Sequence, residues 1–130
     1  MIINDPVTLA EVTAAFMRYE QALLEGDGAT LTALFVDSPL TVRYGINQLH
    51  YGFEAIATYR KSQKPHQRTL DGLVITTYGC EAATASTLFR RPELPGQIGR
   101  QMQTWIRFAE GWRIVAASVS LIDEPQESRK

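Results

Sequence analysis

The chain has 130 residues, of which 45% are hydrophobic, and a formal net charge of −1 at pH 7. This length fits one domain with a single core. The near-neutral charge favours neither nucleic acid nor an anionic membrane surface as a partner, and no apolar run reaches the roughly 20 residues that span a bilayer. The N-terminal residues lack a basic segment followed by a cleavable apolar segment, and Cys80 is the only cysteine. We therefore expect a cytoplasmic protein with no internal disulfide.

Two helices are predicted at the start of the chain. Asp5 and Pro6 supply a start signal for the first helix, over residues 8–24, and Gly26 supplies its end. A second, short helix is predicted over residues 29–35, after Asp27. The first helix carries one stripe of apolar and aromatic side chains at helical spacing: Leu9, Val12, Phe16, Tyr19 and Leu23.

Tyr19 is the unusual member of this stripe. A buried hydroxyl without a partner costs about 1–3 kcal/mol, so the phenol needs a polar partner or a wet cavity. Two interpretations follow. Tyr19 is either a core tyrosine bonded to a backbone carbonyl or the floor of a pocket beneath the helix.

Residues 40–46 alternate as a strand does, with Thr41, Arg43 and Gly45 on one face and the apolar residues on the other. Arg43 has two interpretations. It is an exposed strand arginine, or its face lines a cavity. A guanidinium fixed inside a cavity would need an anion, for which a carboxylate is the natural bidentate match, and it would favour the ionised form of a nearby phenol.

A short return strand over residues 49–51 and a third helix over residues 53–62 follow. The helix is expected to turn Phe53, Ile56, Ala57 and either Tyr59 or Arg60 inward. Four antiparallel strands are then predicted over residues 73–78, 82–91, 100–108 and 112–121. This order predicts an α+β, cone-like fold in which the N-terminal helices pack on a strongly curved antiparallel sheet. We expect one domain over residues 1–130, with an ordered core over 5–122 and a polar tail over 123–130.

The last hairpin determines which side chains line the interior of the cone. A two-residue turn at Glu110-Gly111 would place Gln103 opposite Ser118, with Gln101 and Trp105 on the same face. That polar face would line a cavity or be exposed. The other face carries Met102, Ile106, Val115 and Val119 and suits helix packing or a partner subunit. A one-residue slip would exchange the two faces. Arg90 and Arg91 could extend the positive potential at the cavity mouth.

The element order, together with the stretch Gly111-Trp112-Arg113-Ile114-Val115, resembles the nuclear transport factor 2-like superfamily, which holds SnoaL-type cyclases and relatives of ketosteroid isomerase. Four stretches are similar to a narrower group, the oxalurate-catabolism accessory family. They are residues 10–20, the segment Thr41-Val42-Arg43, residues 89–92 and residues 99–105. Relatives of that family include a small decarboxylating amidohydrolase of cyanuric acid breakdown that acts on a dicarboxylated urea.

The resemblance implies that Tyr19 and Arg43 are the catalytic pair of a small metal-independent amidohydrolase or decarboxylase acting on a carboxylated urea or a related ureido acid. Tyr19 would be a hydrogen-bond donor, an acid/base or a nucleophile. Ser118 stands where the family often has His, so no acid/base role carries over to that position. The predicted substrate-binding residues are Gln101, Gln103, Trp105, Ser118 and Arg90.

No cofactor or metal is expected, because His50 and His66 are far apart and neither HExxH nor CxxC occurs. The expected partners are a small anionic ureido substrate, a second copy in a homodimer and a larger amidase.

Two alternative functions stay open. The chain could be a non-catalytic accessory subunit of a larger amidase. It could also be an isomerase-like or cyclase-like enzyme, although the sequence places neither Asp nor His on the predicted cavity face.

Overall fold

Three helices and six strands form the part of the chain, residues 1–125, that this computed structural model describes. The class is α+β, as predicted. In chain order the elements are α1 (Pro6–Glu25), α2 (Gly28–Ala33), β1 (Val42–Gly45), β2 (Gln48–Tyr51), α3 (Phe53–Arg60), β3 (Thr69–Tyr78), β4 (Ala82–Arg90), β5 (Gln97–Phe108) and β6 (Gly111–Asp123).

Helix α1 begins and ends at the predicted signals. The Asp5 carboxylate accepts a hydrogen bond from the backbone N–H of Thr8 at 3.0 Å, which satisfies one of the free donors of the first turn. Gly26 ends the helix in the left-handed conformation, with a φ of 72°. Between these ends the predicted stripe is turned inward, and Val12 and Phe16 are fully buried.

The six strands form one sheet in the order β2-β1-β6-β5-β4-β3. Strands β3 to β6 form the predicted antiparallel meander, whereas β1 pairs with β6 in parallel. The sheet is therefore mixed rather than wholly antiparallel. The alternating pattern of β1 predicts a strand but carries no information about the direction of its neighbour.

The register of the β5–β6 hairpin differs from the predicted one. Its turn is Ala109-Glu110, because Phe108 pairs with Gly111. Trp105 pairs with Ile114 and Thr104 with Ala116, which leaves Val115 as the extra residue of a β-bulge.

Beyond this bulge, Gln103 lies opposite Ala117, and Met102 lies opposite Ser118. The prediction that Ser118 lies opposite Gln103 is wrong, because one extra residue moves every later side chain of β6 to the other face. For the same reason the predicted apolar face is not continuous. Val119 lies opposite Gln101, on the face opposite to that of Met102.

The hydrophobic core lies between the helices and the inner face of β4–β6. Phe16, Phe35 and Trp105 are its largest side chains that are nearly or fully inaccessible to solvent. The core extends to Tyr19 and Leu23, in the C-terminal half of α1. Of the predicted polar tail, Asp123 ends β6, and residues 126–130 lie outside the described residues. Within residues 1–125, no helix combines the length and apolarity needed to cross a membrane.

Candidate active site

A cavity of about 180 Å³ opens beside the C-terminal half of α1, at the edge of the hydrophobic core. This volume is below the roughly 300–1,000 Å³ of pockets that take drug-sized ligands, so the cavity suits a small molecule. Its lining comes from α1, α3, the β1–β2 hairpin and the inner face of β4–β6: Tyr19, Leu23, Arg43, Ile46, Gln48, Tyr59, Arg60, His66, Arg68, Phe89, Arg91, Gln101 and Val119.

The charge of the lining is strongly positive. Arg68 forms two hydrogen bonds with the Glu20 carboxylate, at 2.6 and 3.0 Å, and Arg91 pairs with Glu93 at 2.7 Å. Within residues 1–125, no carboxylate lies within 4.0 Å of Arg43 or Arg60. Both are buried, with exposed fractions of 7% and 2%. Two buried cations without counter-ions are costly unless an anion joins them.

Arg43 lies on the inward face of β1, and its position is fixed by the β1–β2 hairpin. Its Nη1 donates a hydrogen bond to Gln48 Oε1 at 2.9 Å and lies 3.1 Å from His50 Nδ1. The guanidinium carbon lies 4.8 Å from the centre of the Tyr59 ring, a cation–π distance. Burial, and then the nearby charge of Arg60, lower the pKa of the Arg43 guanidinium from its ordinary value.

The glycine at the end of β1 allows this arrangement. A Cβ at Gly45 would lie only 2.8 Å from Arg43 Nη1 and would also collide with Gln48 Oε1. Any side chain at this position would therefore push the guanidinium or its partner away. In the sequence, this arrangement is marked by a glycine two residues after Arg43, on the same face of the strand.

Tyr19 has a side-chain partner rather than the backbone carbonyl of the first interpretation. Its Oη accepts a hydrogen bond from Arg60 Nη2 at 2.9 Å, and only 4% of the residue is exposed. The ring packs edge-to-face against Phe35, with centroids 6.4 Å apart. Tyr19 and Arg43 line the same cavity, but the guanidinium bonded to the hydroxyl is that of Arg60.

Gln101 also lines the cavity. Its Nε2 is buried and has no hydrogen-bond acceptor among residues 1–125. Buried amide donors are seldom left unpaired, because each costs about 1–3 kcal/mol. Gln101 is thus a further polar group of the site with unused hydrogen-bonding capacity.

Four of the predicted substrate-binding residues do not line the cavity. Trp105 is fully buried in the core and donates its indole N–H to Gln103 Oε1 at 3.0 Å. Gln103 is also buried, and neither side chain lines the cavity. Ser118 is exposed on the outer face because of the bulge at Val115. Arg90 is exposed and pairs with Glu124 at 2.7 Å, and the next residue, Arg91, lines the cavity instead.

The sequence interpretation did not assign several cavity residues to the site. Arg60 follows Ile56 by one helical turn, and the sequence predicts that either Tyr59 or Arg60 turns inward. In the structure both residues line the cavity. His66 lines the cavity as well, contrary to the expectation that no His would do so, and burial is the main cause of its lowered pKa. No sequence signal marks His66, which lies in a loop. Within residues 1–125, no three His, Cys, Asp or Glu side chains cluster to hold a metal ion.

Comparison with known proteins identifies the family. The AtzH-like family model matches residues 1–125, so the chain belongs to the AtzH-like family. A search of curated proteins finds no match. Among solved structures, a protein of unknown function from Pectobacterium atrosepticum is 50% identical, with a TM-score of 0.88 over 93% of this chain and 95% of that one.

A protein with a cystatin-like fold from Burkholderia xenovorans is 48% identical to this chain, with a TM-score of 0.92 over 96% of this chain and 99% of that one. A more distant likeness is an NTF2-like protein of unknown function from Pseudomonas putida. It has 17% identity and a TM-score of 0.73 over 95% of this chain and 92% of that one. That likeness supports the nuclear transport factor 2-like fold alone.

Proposed function

We propose that this member of the AtzH-like family is a small amidohydrolase or decarboxylase that acts on a carboxylated urea or a related ureido acid such as oxalurate. The observation that carries the proposal is the pair of buried guanidinium groups, Arg43 and Arg60, which share a small cavity with a tyrosine hydroxyl and have no carboxylate partner within residues 1–125. Such a cavity favours a small anion that also offers a hydrogen-bond acceptor.

Arg43 is the proposed anchor for the substrate carboxylate. Its hydrogen-bond contacts with Gln48 and His50 both use Nη1. The Tyr59 side chain also hydrogen-bonds the guanidinium, and a carboxylate would form a fork-shaped pair of bonds with the N–H groups that these partners leave unused. The Tyr59 ring beside the guanidinium restricts its movement.

Tyr19 is the proposed group that stabilises the negative charge developing on the urea group during the reaction. In the decarboxylation of an N-carboxylated urea, the bond between the urea nitrogen and the carboxylate carbon breaks, its electron pair goes to the nitrogen, and carbon dioxide leaves. The nitrogen takes up one proton, which Tyr19 supplies either directly or through water, and solvent water then returns a proton to the phenol. A hydroxyl held against the urea oxygen would stabilise the charge of the transition state. Gln101, which also lines the cavity, is the proposed partner of another edge of the urea group.

The experiment is a turnover assay that measures released carbon dioxide and ammonia with carboxylated ureas and oxalurate as substrates. We expect activity in the wild type, and a loss of about 10²–10³-fold in kcat for Tyr19→Phe, as for the removal of one donor to a transition state. Arg43→Lys should raise KM, because a point charge cannot form the bidentate pair. Arg107→Lys, on an exposed arginine outside the cavity, is the matched control. Equal turnover in Tyr19→Phe and the wild type would remove Tyr19 from the mechanism.

Two alternatives are separated by the same assay. Ligand binding without turnover would favour a non-catalytic accessory subunit, which pull-down with a larger amidase would then test. An isomerase-like or cyclase-like activity would need a base in the cavity, and His66 is the residue there that fits the role. The predicted homodimer is tested by light scattering coupled to size exclusion.

A further inference from the structure

We propose that Arg60 is the positioning residue of the site, and that it orients the Tyr19 hydroxyl so that its proton points into the cavity. The inference rests on the proposed function. It adds a third residue to the proposed pair of Tyr19 and Arg43, since the guanidinium that acts through Tyr19 is on α3 rather than on β1.

The hydrogen bond between the two side chains has only one polarity. A guanidinium donates and never accepts, so the Tyr19 oxygen must be the acceptor of the 2.9 Å contact with Arg60 Nη2. The hydroxyl proton must therefore point elsewhere. Within residues 1–125 no side chain or backbone group accepts it, and the cavity is the space that Tyr19 borders. A ligand oxygen or nitrogen in the cavity is the acceptor that this geometry favours.

Arg60 is itself held in place from its other side. Its Nη1 donates a hydrogen bond to Gln63 Oε1 at 2.7 Å, and Gln63 Nε2 lies 3.0 Å from the backbone oxygen of Lys64. Each of the two terminal nitrogens of the planar guanidinium therefore has a hydrogen-bond partner that restricts its orientation. Because Arg60 Nη2 is held in place, it fixes which lone pair of the Tyr19 oxygen accepts the hydrogen bond. The O–H bond must then take one of the remaining directions.

The Arg60 guanidinium carbon lies 5.9 Å from the centre of the Tyr19 ring and 5.4 Å from that of the Tyr59 ring, but burial of its charge without a counter-ion among residues 1–125 is costly. The residue continues the inward side of α3, one turn after Ile56, and its Nε is buried without an acceptor among residues 1–125. An apolar side chain of similar length would avoid both the buried charge and the unpaired donor. If Tyr19 releases its proton during the reaction, however, the guanidinium is already in place to bind the phenolate by a charge-assisted hydrogen bond.

A double-mutant cycle tests the proposal. Steady-state kcat and KM are measured for the wild type, Tyr19→Phe, Arg60→Met and the double variant, with Arg107→Met as the control on an exposed arginine. Each single variant of the cycle should lose about 10²–10³-fold in kcat. The double variant should lose no more than the worse single variant, because both changes remove the same oriented hydroxyl. The KM for Arg60→Met should change less than the KM for Arg43→Lys.

Two results would overturn the proposal. If the losses in kcat multiply in the double variant, Arg60 acts independently of the hydroxyl. If Arg60→Met changes KM alone, Arg60 is only a charge that attracts the ligand. Should Arg60→Met fail to fold by circular dichroism, Arg60→Gln replaces it in the cycle, because its shorter neutral side chain removes the charged donor to Tyr19, with the same criterion of non-additivity.

A separate measurement distinguishes the failure of this inference from the failure of the proposed function. If the wild type turns over no carboxylated urea, the same cycle is measured as oxalurate affinity by calorimetry. Non-additive losses of affinity would then support the positioning role while rejecting the proposed reaction, and additive losses would reject both.

Discussion

The Tyr19 hydroxyl and the Arg60 guanidinium lie 2.9 Å apart although 41 positions separate them in the chain and they belong to different helices. The contact brings the inward side of α3 against the end of the α1 stripe. Arg43 reaches the same cavity from the sheet. Tyr19, Arg43 and Arg60 therefore come from three different elements, and the candidate site is sensitive to changes that move any one of them.

The first prediction concerns Gly45. In Gly45→Ala the new Cβ displaces the flexible ends of Arg43 and Gln48 but leaves the backbone in place. We expect kcat/KM to fall about 10- to 100-fold, as for a small misplacement of a positioning group, with little change in thermal stability. Thermal unfolding and steady-state kinetics measure the two effects separately.

Gly72→Ala is the matched control for this change. Gly72 has a positive φ of 64°, and a Cβ added there would have no heavy atom of residues 1–125 within 4 Å, so alanine strains the backbone without contacting the cavity. It should lower stability by about 1 kcal/mol and leave kcat/KM unchanged. Full activity in Gly45→Ala would show that the Arg43–Gln48 contact is dispensable.

The second prediction concerns the buried pair of Glu20 and Arg68. Their shortest contact is 2.6 Å, and their side chains are almost fully buried. Glu20→Gln should lower the free energy of unfolding by about 3–5 kcal/mol, because it leaves the Arg68 charge buried and uncompensated. Denaturant unfolding of this variant, with Arg107→Lys as an exposed control, measures the difference. A loss as small as that of the control would mean that water or another group compensates Arg68.

The third prediction is a dependence of stability on pH. Burial, and then the charges of Arg43 and Arg60, lower the pKa of His50 below its ordinary value of 6.5. Between that value and the folded-state pKa, the unfolded chain binds more protons than the folded one, so stability rises with pH. We expect the contribution of His50 to be complete above about pH 7 and to be lost as the pH falls through its folded-state pKa.

Protonation of His50 should also change its contact with Arg43 in the candidate site. Arg43 only donates, so its 3.1 Å contact with His50 is a hydrogen bond only while His50 Nδ1 is unprotonated. His66 contributes to the slope in the same direction, since its pKa is also lowered, chiefly by burial. Urea unfolding at several pH values should show a smaller slope in His50→Gln than in the wild type. An unchanged slope would contradict this assignment.

Much of this arrangement follows from the sequence. The stripe of α1 is a property of local periodicity, and it places Tyr19 on a buried face. The alternation of β1 separates the face of Arg43 from that of Tyr44 but does not decide which face is buried, and packing buries the face of Arg43. The capping signals at Asp5 and Gly26 fix the ends of α1 for a similarly local reason.

The rest depends on long-range geometry that a local pattern does not contain. The bulge at Val115 reverses the faces of the later part of β6, and the alternation along the strand carries no signal for the extra residue. Ser118 therefore lies on the outer face instead of the predicted cavity face. The sequence likewise indicated that Tyr59 or Arg60 turns inward, but not that the Arg60 head group would meet Tyr19.

The central claim is that the cavity binds a small ureido anion between Arg43 and Tyr19. Its most direct test is a crystal structure of the protein with oxalurate. We predict the oxalurate carboxylate within hydrogen-bond distance of Arg43 and its urea oxygen within hydrogen-bond distance of Tyr19 Oη. Oxalurate bound elsewhere, or a cavity without it at a concentration that saturates binding in calorimetry, would contradict the account.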